Sequence, residues 1–163
     1  MKEADHKYKA PATSSEMPAA LARYLDGTDL VNKTQALRLA AVDAEGWPHA
    51  ALLSAGDALV MPSGRIRFFL FPQSGMAANL EREGRLTITL SLDKGMCEVR
   101  LRCRRLVHKS ADIPLALFEA EVQSVRNHVA PYADVTGGVT FLLHDPEAVL
   151  PRWQRQIAAL RAA

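Results

Sequence analysis

The stretch Leu86-Thr87-Ile88-Thr89-Leu90-Ser91-Leu92 alternates apolar and hydroxyl residues without a break. A strict period of two puts every apolar side chain on one face of a strand and every hydroxyl on the other. Asp93-Lys94-Gly95 follows with the chemistry of a tight hairpin turn,. Beyond it, residues 97–107 continue the alternation, with Glu98, Arg100, Arg102 and Arg104 sharing one face. A hairpin of this length needs a sheet around it to cover its apolar face, so the chain is expected to be mainly β.

Other segments repeat the signal. Residues 36–42 read as a strand closed by the turn Asp43-Ala44-Glu45-Gly46, and residues 49–54 as a second, with Pro48 at its start where a missing N–H does least harm,. Residues 58–61 form a short third strand ending at Pro62-Ser63-Gly64, and residues 65–71, rich in aromatic and β-branched side chains, a fourth,. Residues 139–143 read as a last strand. Between them lie helix signals. Ser15 as cap, Pro18 in the first turn and Gly27 as stop predict a helix over residues 16–26,. Ser74 as cap and Gly84 as stop predict another over residues 74–83,. Leu115, Phe118, Val122 and Val125 stand at helical spacing and predict a helix over residues 112–128,. From Asp145-Pro146, the residues Val149, Leu150, Trp153, Ile157 and Leu160 predict a C-terminal one,. Five or six strands in meander order with few helices indicate a closed or partly closed antiparallel barrel.

A length of 163 residues suits one domain,. The polar residues 1–15 are read as a flexible arm and residues 16–163 as the domain. A net charge of +2 does not point to nucleic acid,. No apolar run approaches the ~20 residues of a membrane helix and the N-terminus has no apolar core of a secretory signal, so cytoplasmic residence is expected. Cys97 and Cys103 lie on one face of one strand but roughly 20 Å apart at ~3.3 Å per residue, too far for a disulfide,. No Cys/His spacing suggests a metal site. Neither Ser54 nor Ser74 sits in a Gly-Xaa-Ser-Xaa-Gly elbow, and no phosphate-binding Gly-rich loop is present,. No catalytic acid, base or nucleophile stands out. Trp47 reads as either an interface anchor or a cleft wall, and His49 as either a structural or a functional histidine.

One block has a specific order: AAVDAEGWPHAALLSAG, then RIRFFLFPQSGMAANLEREGRLTITL. Strand, Asp-Xaa-Xaa-Gly turn, Xaa-Pro, strand, aromatic strand, Ser-capped helix and strand in this succession resemble the pyridoxamine phosphate oxidase-like family of flavin-binding split barrels. The resemblance covers roughly residues 34–107. It implies a six-stranded antiparallel split barrel working as a homodimer, with flavin mononucleotide (FMN) in clefts at the subunit interface. It implies that Ala51, Leu52 and Leu53, with Phe69 and Leu70, line the flavin ring, largely through backbone groups. It implies that Ser74, Gly75 and Met76, with Asn79 on the same helix, hold the phosphate end. Members of the family place basic residues just after that serine, where this chain has Gly75 and Met76, so the charge would come from elsewhere. The candidates are Arg65 and Arg67, or Arg100, Arg102 and Arg104. The resemblance implies a flavin-dependent oxidoreductase. The Arg-rich substrate-binding tail of the true oxidases is lacking, so a reaction other than pyridoxine phosphate oxidation is expected. The alternative is a dimer on the same scaffold that holds flavin, deazaflavin or haem without turnover.

Overall fold

The structure, a computed structural model, describes residues 8–163. In chain order its elements are strand β1 (Thr13–Ser14), helix α1 (Ala19–Tyr24), a 3-10 turn at Leu30–Asn32, β2 (Leu37–Val42), β3 (Pro48–Leu53), β4 (Ala58–Val60), β5 (Ile66–Leu70), α2 (Gly75–Glu83), β6 (Arg85–Leu92), β7 (Gly95–Leu106), β8 (Ala116–His128) and α3 (Pro146–Ala162). The strands form one antiparallel sheet in the order β3-β2-β6-β7-β8-β5-β4, with β1 added against β8. β3 and β4, at the two ends of that order, are joined by only four residues, 54–57. A turn with Asp57 N–H donating to Ser54 O at 3.0 Å closes this connection. So short a link draws the sheet's two edges together, and the sheet curls into a split barrel.

The β6–β7 hairpin stands at the centre, as the alternation predicts. Leu92 pairs with Gly95, and Asp93 and Lys94 take the turn with positive φ of 50° and 63°. Both φ values fit the primed turns that match strand twist. Leu86, Ile88 and Leu90 of β6 and Cys97, Val99, Leu101 and Cys103 of β7 are buried, while the hydroxyl and arginine faces point outward. The two cysteines are reduced. Burial pushes the Cys97 thiol up to about 11 and the Cys103 thiol up to about 12. On the inner face Phe68 of β5 lies directly across from Phe118 of β8, and their rings stack at 5.7 Å. One buried cluster runs from Leu21 to Leu160. Each fully buried large side chain in it contributes about 1.5–3 kcal/mol.

The structure corrects four sequence expectations. Residues 112–128 are not a helix: all but the first four form the strand β8. Its register against β7 slips once, with Arg100 opposite Ser124 and Leu101 opposite Val122, which leaves Gln123 as the extra residue of a bulge. The bulge reverses the inward-outward parity, so Val122 and Val125 face the same side and counterfeit a helical stripe. Residues 139–143 form no strand. Their link to the sheet is the single bridge between Gln35 and Thr140, with Ala36 N–H donating to Val139 O at 2.8 Å and Phe141 N–H to Thr34 O at 3.0 Å. Only the short stretch before β2 is available there as a partner. The sheet has eight strands rather than six, because the two-residue β1 pairs with the far end of β8 and β8 itself replaces the expected helix. The first helix spans six residues, with Pro18 at its N-cap position, and Ser15 does not cap it. Of the polar stretch read as an arm, residues 1–7 lie outside the described residues, and Thr13 and Ser14 pair with Arg126 and Val125.

Candidate functional site

Helix α2 forms where the sequence predicts it. The Ser74 hydroxyl oxygen accepts from Ala77 N–H at 3.1 Å, and Gly84 ends the helix in the left-handed conformation at φ 65°. Gly75 and Met76 occupy the first turn, where backbone N–H groups have no partner within the helix and the helix dipole is positive. Helix α3 starts the same way. Asp145 accepts from Ala148 N–H at 3.1 Å and Pro146 takes the first turn. Its inward stripe is Trp153, Gln156, Ile157 and Leu160, at the spacing of one helix face,. The Trp153 ring packs against Gly56, so tightly that a Cβ on Gly56 would stand 2.1 Å from ring carbons. The Gln156 amide donates from Nε2 to Asp57 Oδ1 at 2.5 Å and to Gly56 O at 3.3 Å. The Ser54 hydroxyl donates to the other oxygen of Asp57. These contacts seat α3 on the β3–β4 connection.

Between these elements lies a cleft of about 410 Å³. One wall is Ala51, Leu52 and Leu53 of β3, an edge strand that pairs only with β2. Half of an edge strand's backbone N–H and C=O groups therefore point away from the sheet. The second wall is Phe69, Leu70 and Phe71, at and just past the end of β5, and the third is Ser74 and Met76 at the start of α2. The remaining boundary comes from residues 112–115 and from Asp57, Arg152, Arg155 and Gln156. Leu52 and Phe71 remain 59% and 72% exposed, so the apolar wall is open to solvent on one side.

Of the ten residues singled out from the sequence, the structure gathers seven around this cleft: Ala51, Leu52, Leu53, Phe69, Leu70, Ser74 and Met76. Gly75 lies between two of them. Its missing side chain is explained by the His49 imidazole, since a Cβ there would come within 2.9 Å of Cε1. Asn79 is buried and does not line the cleft. Its Nδ2 stands 2.9 Å from His49 Nδ1, and its Oδ1 accepts from Arg82 at 3.1 Å. Because Arg82 can only donate, the Asn79 amide nitrogen is the group facing His49, and His49 Nδ1 is the acceptor. His49 thus has a structural partner on α2.

Arg67 also points elsewhere. Its Nε donates to Glu119 at 3.0 Å and its Nη1 to Leu160 O at 2.9 Å. Glu119, buried at the β8 end of the cluster, also takes Arg104 at 2.7 Å and Arg65 at 3.3 Å. The Arg104 hydrogen bond, with Arg67 behind it, holds the Glu119 carboxyl below the ordinary carboxylate value despite its burial. Arg100 pairs with Glu98 at 3.4 Å. Arg65, Arg67, Arg100 and Arg104 are therefore engaged with carboxylates of the barrel, Arg102 reaches the Glu83 backbone oxygen at 3.5 Å, and none of the five lines the cleft. Trp47 is 72% exposed on the turn before β3 and does not line the cleft.

Phe71 and residues 112–115 line the cleft without having been expected, and so do the polar residues Asp57, Arg152, Arg155 and Gln156. The helix pattern of α3 was legible, and so was the fact that residues 152 and 155 flank its apolar stripe. What the pattern could not show is that this flank lines the same cleft as β3.

No protein-family model matches the chain. Among curated proteins it is 36% identical over 147 residues to the uncharacterized protein YclD of Bacillus subtilis, covering 89% of this chain and 96% of that one. Among solved structures, HupZ of Group A Streptococcus superposes with a TM-score of 0.51 at 16% identity, covering 66% of this chain and 94% of that one. The heme storage protein HutZ of Vibrio cholerae gives 0.48 at 12% identity, covering 69% and 95%. The chain belongs to one family with YclD, and its fold is the split barrel of pyridoxamine phosphate oxidase-like proteins.

Proposed function

We propose that the cleft binds FMN or a closely related flavin, and that the protein is a flavin-dependent oxidoreductase acting as a homodimer on a substrate other than pyridoxine phosphate. The observation that carries this reading is the convergence of three parts on one cleft: the β3 edge at Ala51–Leu53, the aromatic end of β5, and the Ser-capped start of α2. The residues fit the group in both of its halves. A flat, apolar ring with polar edges suits walls of Leu52, Phe69, Phe71 and Met76 beside the free backbone groups of β3. A phosphate suits the Ser74 hydroxyl and the unpartnered N–H groups of Gly75 and Met76.

When bound, a flavin supplies the hydride and single-electron chemistry, while the protein binds, orients and excludes water. Leu52, Phe69 and Phe71 keep water from the ring face. Ser74 and the first turn of α2 fix the phosphate end and so the depth of the ring. The exposed apolar wall at Leu52 and Phe71 is the side a second copy would cover. Among the described residues Met76 is the only cleft-lining side chain of a type that ligates haem iron, which favours a flavin over haem,.

The test is titration of FMN into the purified protein, read by quenching of flavin fluorescence. Saturable binding supports the reading, and no binding at ~100 μM overturns it. A second reading, ligand binding without turnover, is favoured by Gly75 and Met76, which offer no cation beside Ser74. It predicts that the flavin-loaded protein retains its ligand but is not reduced by NAD(P)H.

A further inference from the structure

We propose that Arg152 and Arg155 of helix α3 supply the positive charge for the ligand's phosphate, replacing the basic residues that this chain lacks after Ser74. The inference rests on the flavin reading above. A dianionic phosphate held only by neutral donors is poorly compensated, and charge-assisted bonds from Arg are the strong ones. Among the described residues, Arg152 and Arg155 are the cations that line the cleft.

None of Arg65, Arg67, Arg100, Arg102 and Arg104 lines the cleft. Arg65, Arg67 and Arg104 converge on Glu119. Arg82 donates to Asn79 and to Val42 O. Neither Arg152 nor Arg155 makes an ion pair among the described residues. Two acids share the cleft with them. Asp57 has its oxygens occupied by Ser54 and Gln156, and Asp112 is exposed to solvent.

The stretch of helix that carries the two arginines is fixed in place. Residues 152 and 155 flank Trp153 and Gln156, and those two are buried and locked onto Gly56 and Asp57. The helix that carries them cannot slide without breaking both contacts. Position 75, where a basic side chain would otherwise stand, is closed by the His49 ring. A side chain at position 75 would have to displace the His49 ring, and position 76 carries the neutral Met76.

The experiment compares FMN with riboflavin, which has the same ring and no phosphate, on the full chain and on the double variant R152Q/R155Q. Both residues are exposed, so the variant should keep the parent's melting temperature. The FMN Kd is expected to rise about tenfold or more in the variant, while the riboflavin Kd stays within about twofold. FMN affinity in the parent should also fall with added salt more steeply than in the variant. If the parent binds FMN and the variant binds both ligands as the parent does, the assignment of these arginines is overturned and the flavin reading stands. A variant that loses both ligands equally also overturns it, since the arginines would then shape the ring site. If the parent binds neither ligand, the flavin reading itself fails and the assignment with it.

Discussion

Gln156 Nε2 and Asp57 Oδ1 lie 2.5 Å apart although 99 residues separate them in sequence. Their bond joins helix α3 to the link that draws the two edges of the sheet together. Both side chains are on the boundary of the cleft, and Gln156 is only 3% exposed. Gln156→Leu keeps the bulk but leaves Asp57 Oδ1 and Gly56 O without their donor. The expected loss is about 2 kcal/mol, read from the urea midpoint at constant slope. Gln156→Glu places a second carboxyl beside Asp57. It should cost more than the leucine, because it buries a second negative charge against the first.

Gly56 and Trp153 make the neighbouring contact, and it is steric. An added methyl at position 56 would meet the indole within 2.1–2.5 Å, so the ring or the helix must move. Gly56→Ala is expected to cost about 3 kcal/mol. It should also red-shift the fluorescence of the buried Trp153 relative to the exposed Trp47. Gly46→Ala is the contrast: nothing lies within 4 Å of the added carbon, and only the positive φ of 88° opposes it. Its cost should stay near 1 kcal/mol. Equal costs for the two variants would contradict the packing seen at Trp153.

Glu119 makes the protein's stability depend on acid. Its ordinary value of 4.5 is lowered in the folded state, first by the Arg104 hydrogen bond and then by Arg67. A carboxyl lowered on folding contributes stability above its unfolded value, and that contribution is lost as pH falls through the folded one. Unfolding free energy should therefore be flat above pH 5.5 or so and decline below about pH 4.5. Glu119→Gln leaves three guanidinium groups facing a neutral amide. The variant should be about 3 kcal/mol less stable at pH 7, with a shallower decline in acid. An unchanged acid limb in the variant would assign that decline to other carboxyls.

Much of this architecture was legible in the chain itself, for reasons that differ by element. The strand at residues 86–92 and the helix after Ser74 are each specified locally, one by parity and one by a cap and a glycine stop. Residues 112–128 were not, because the bulge at Gln123 changes parity in mid-strand and only the partner strand reveals it. Seven of the ten expected site residues gather at the cleft because the order of strand, strand and capped helix already places them side by side. Arg67 misled because its type suits a phosphate, while its partner Glu119 lies 52 residues away. Arg152 and Arg155 were out of reach for the same reason in reverse: what brings them to the cleft is the docking of Trp153 and Gln156 on residues 56 and 57, about a hundred residues earlier.

Phe71 offers the last test, of the assembly. It is 72% exposed, lines the cleft, and stands with Leu52 on the side open to solvent. On the surface of a monomer, Phe71→Glu would change stability by no more than about 0.5 kcal/mol and leave the mass in solution as it was. If a second copy covers this wall, as the proposed function requires, the same substitution buries a carboxylate against apolar surface. That cost is several kcal/mol, enough to separate a dimer at micromolar concentration. Sedimentation should then show the parent at twice the chain mass and the variant at the chain mass, with FMN affinity falling alongside. Leu142→Glu, at a residue 86% exposed and away from the cleft, should leave the dimer intact. A parent that sediments as a single chain at micromolar concentration would remove the dimer from the proposal and leave the wall at Leu52 and Phe71 facing water.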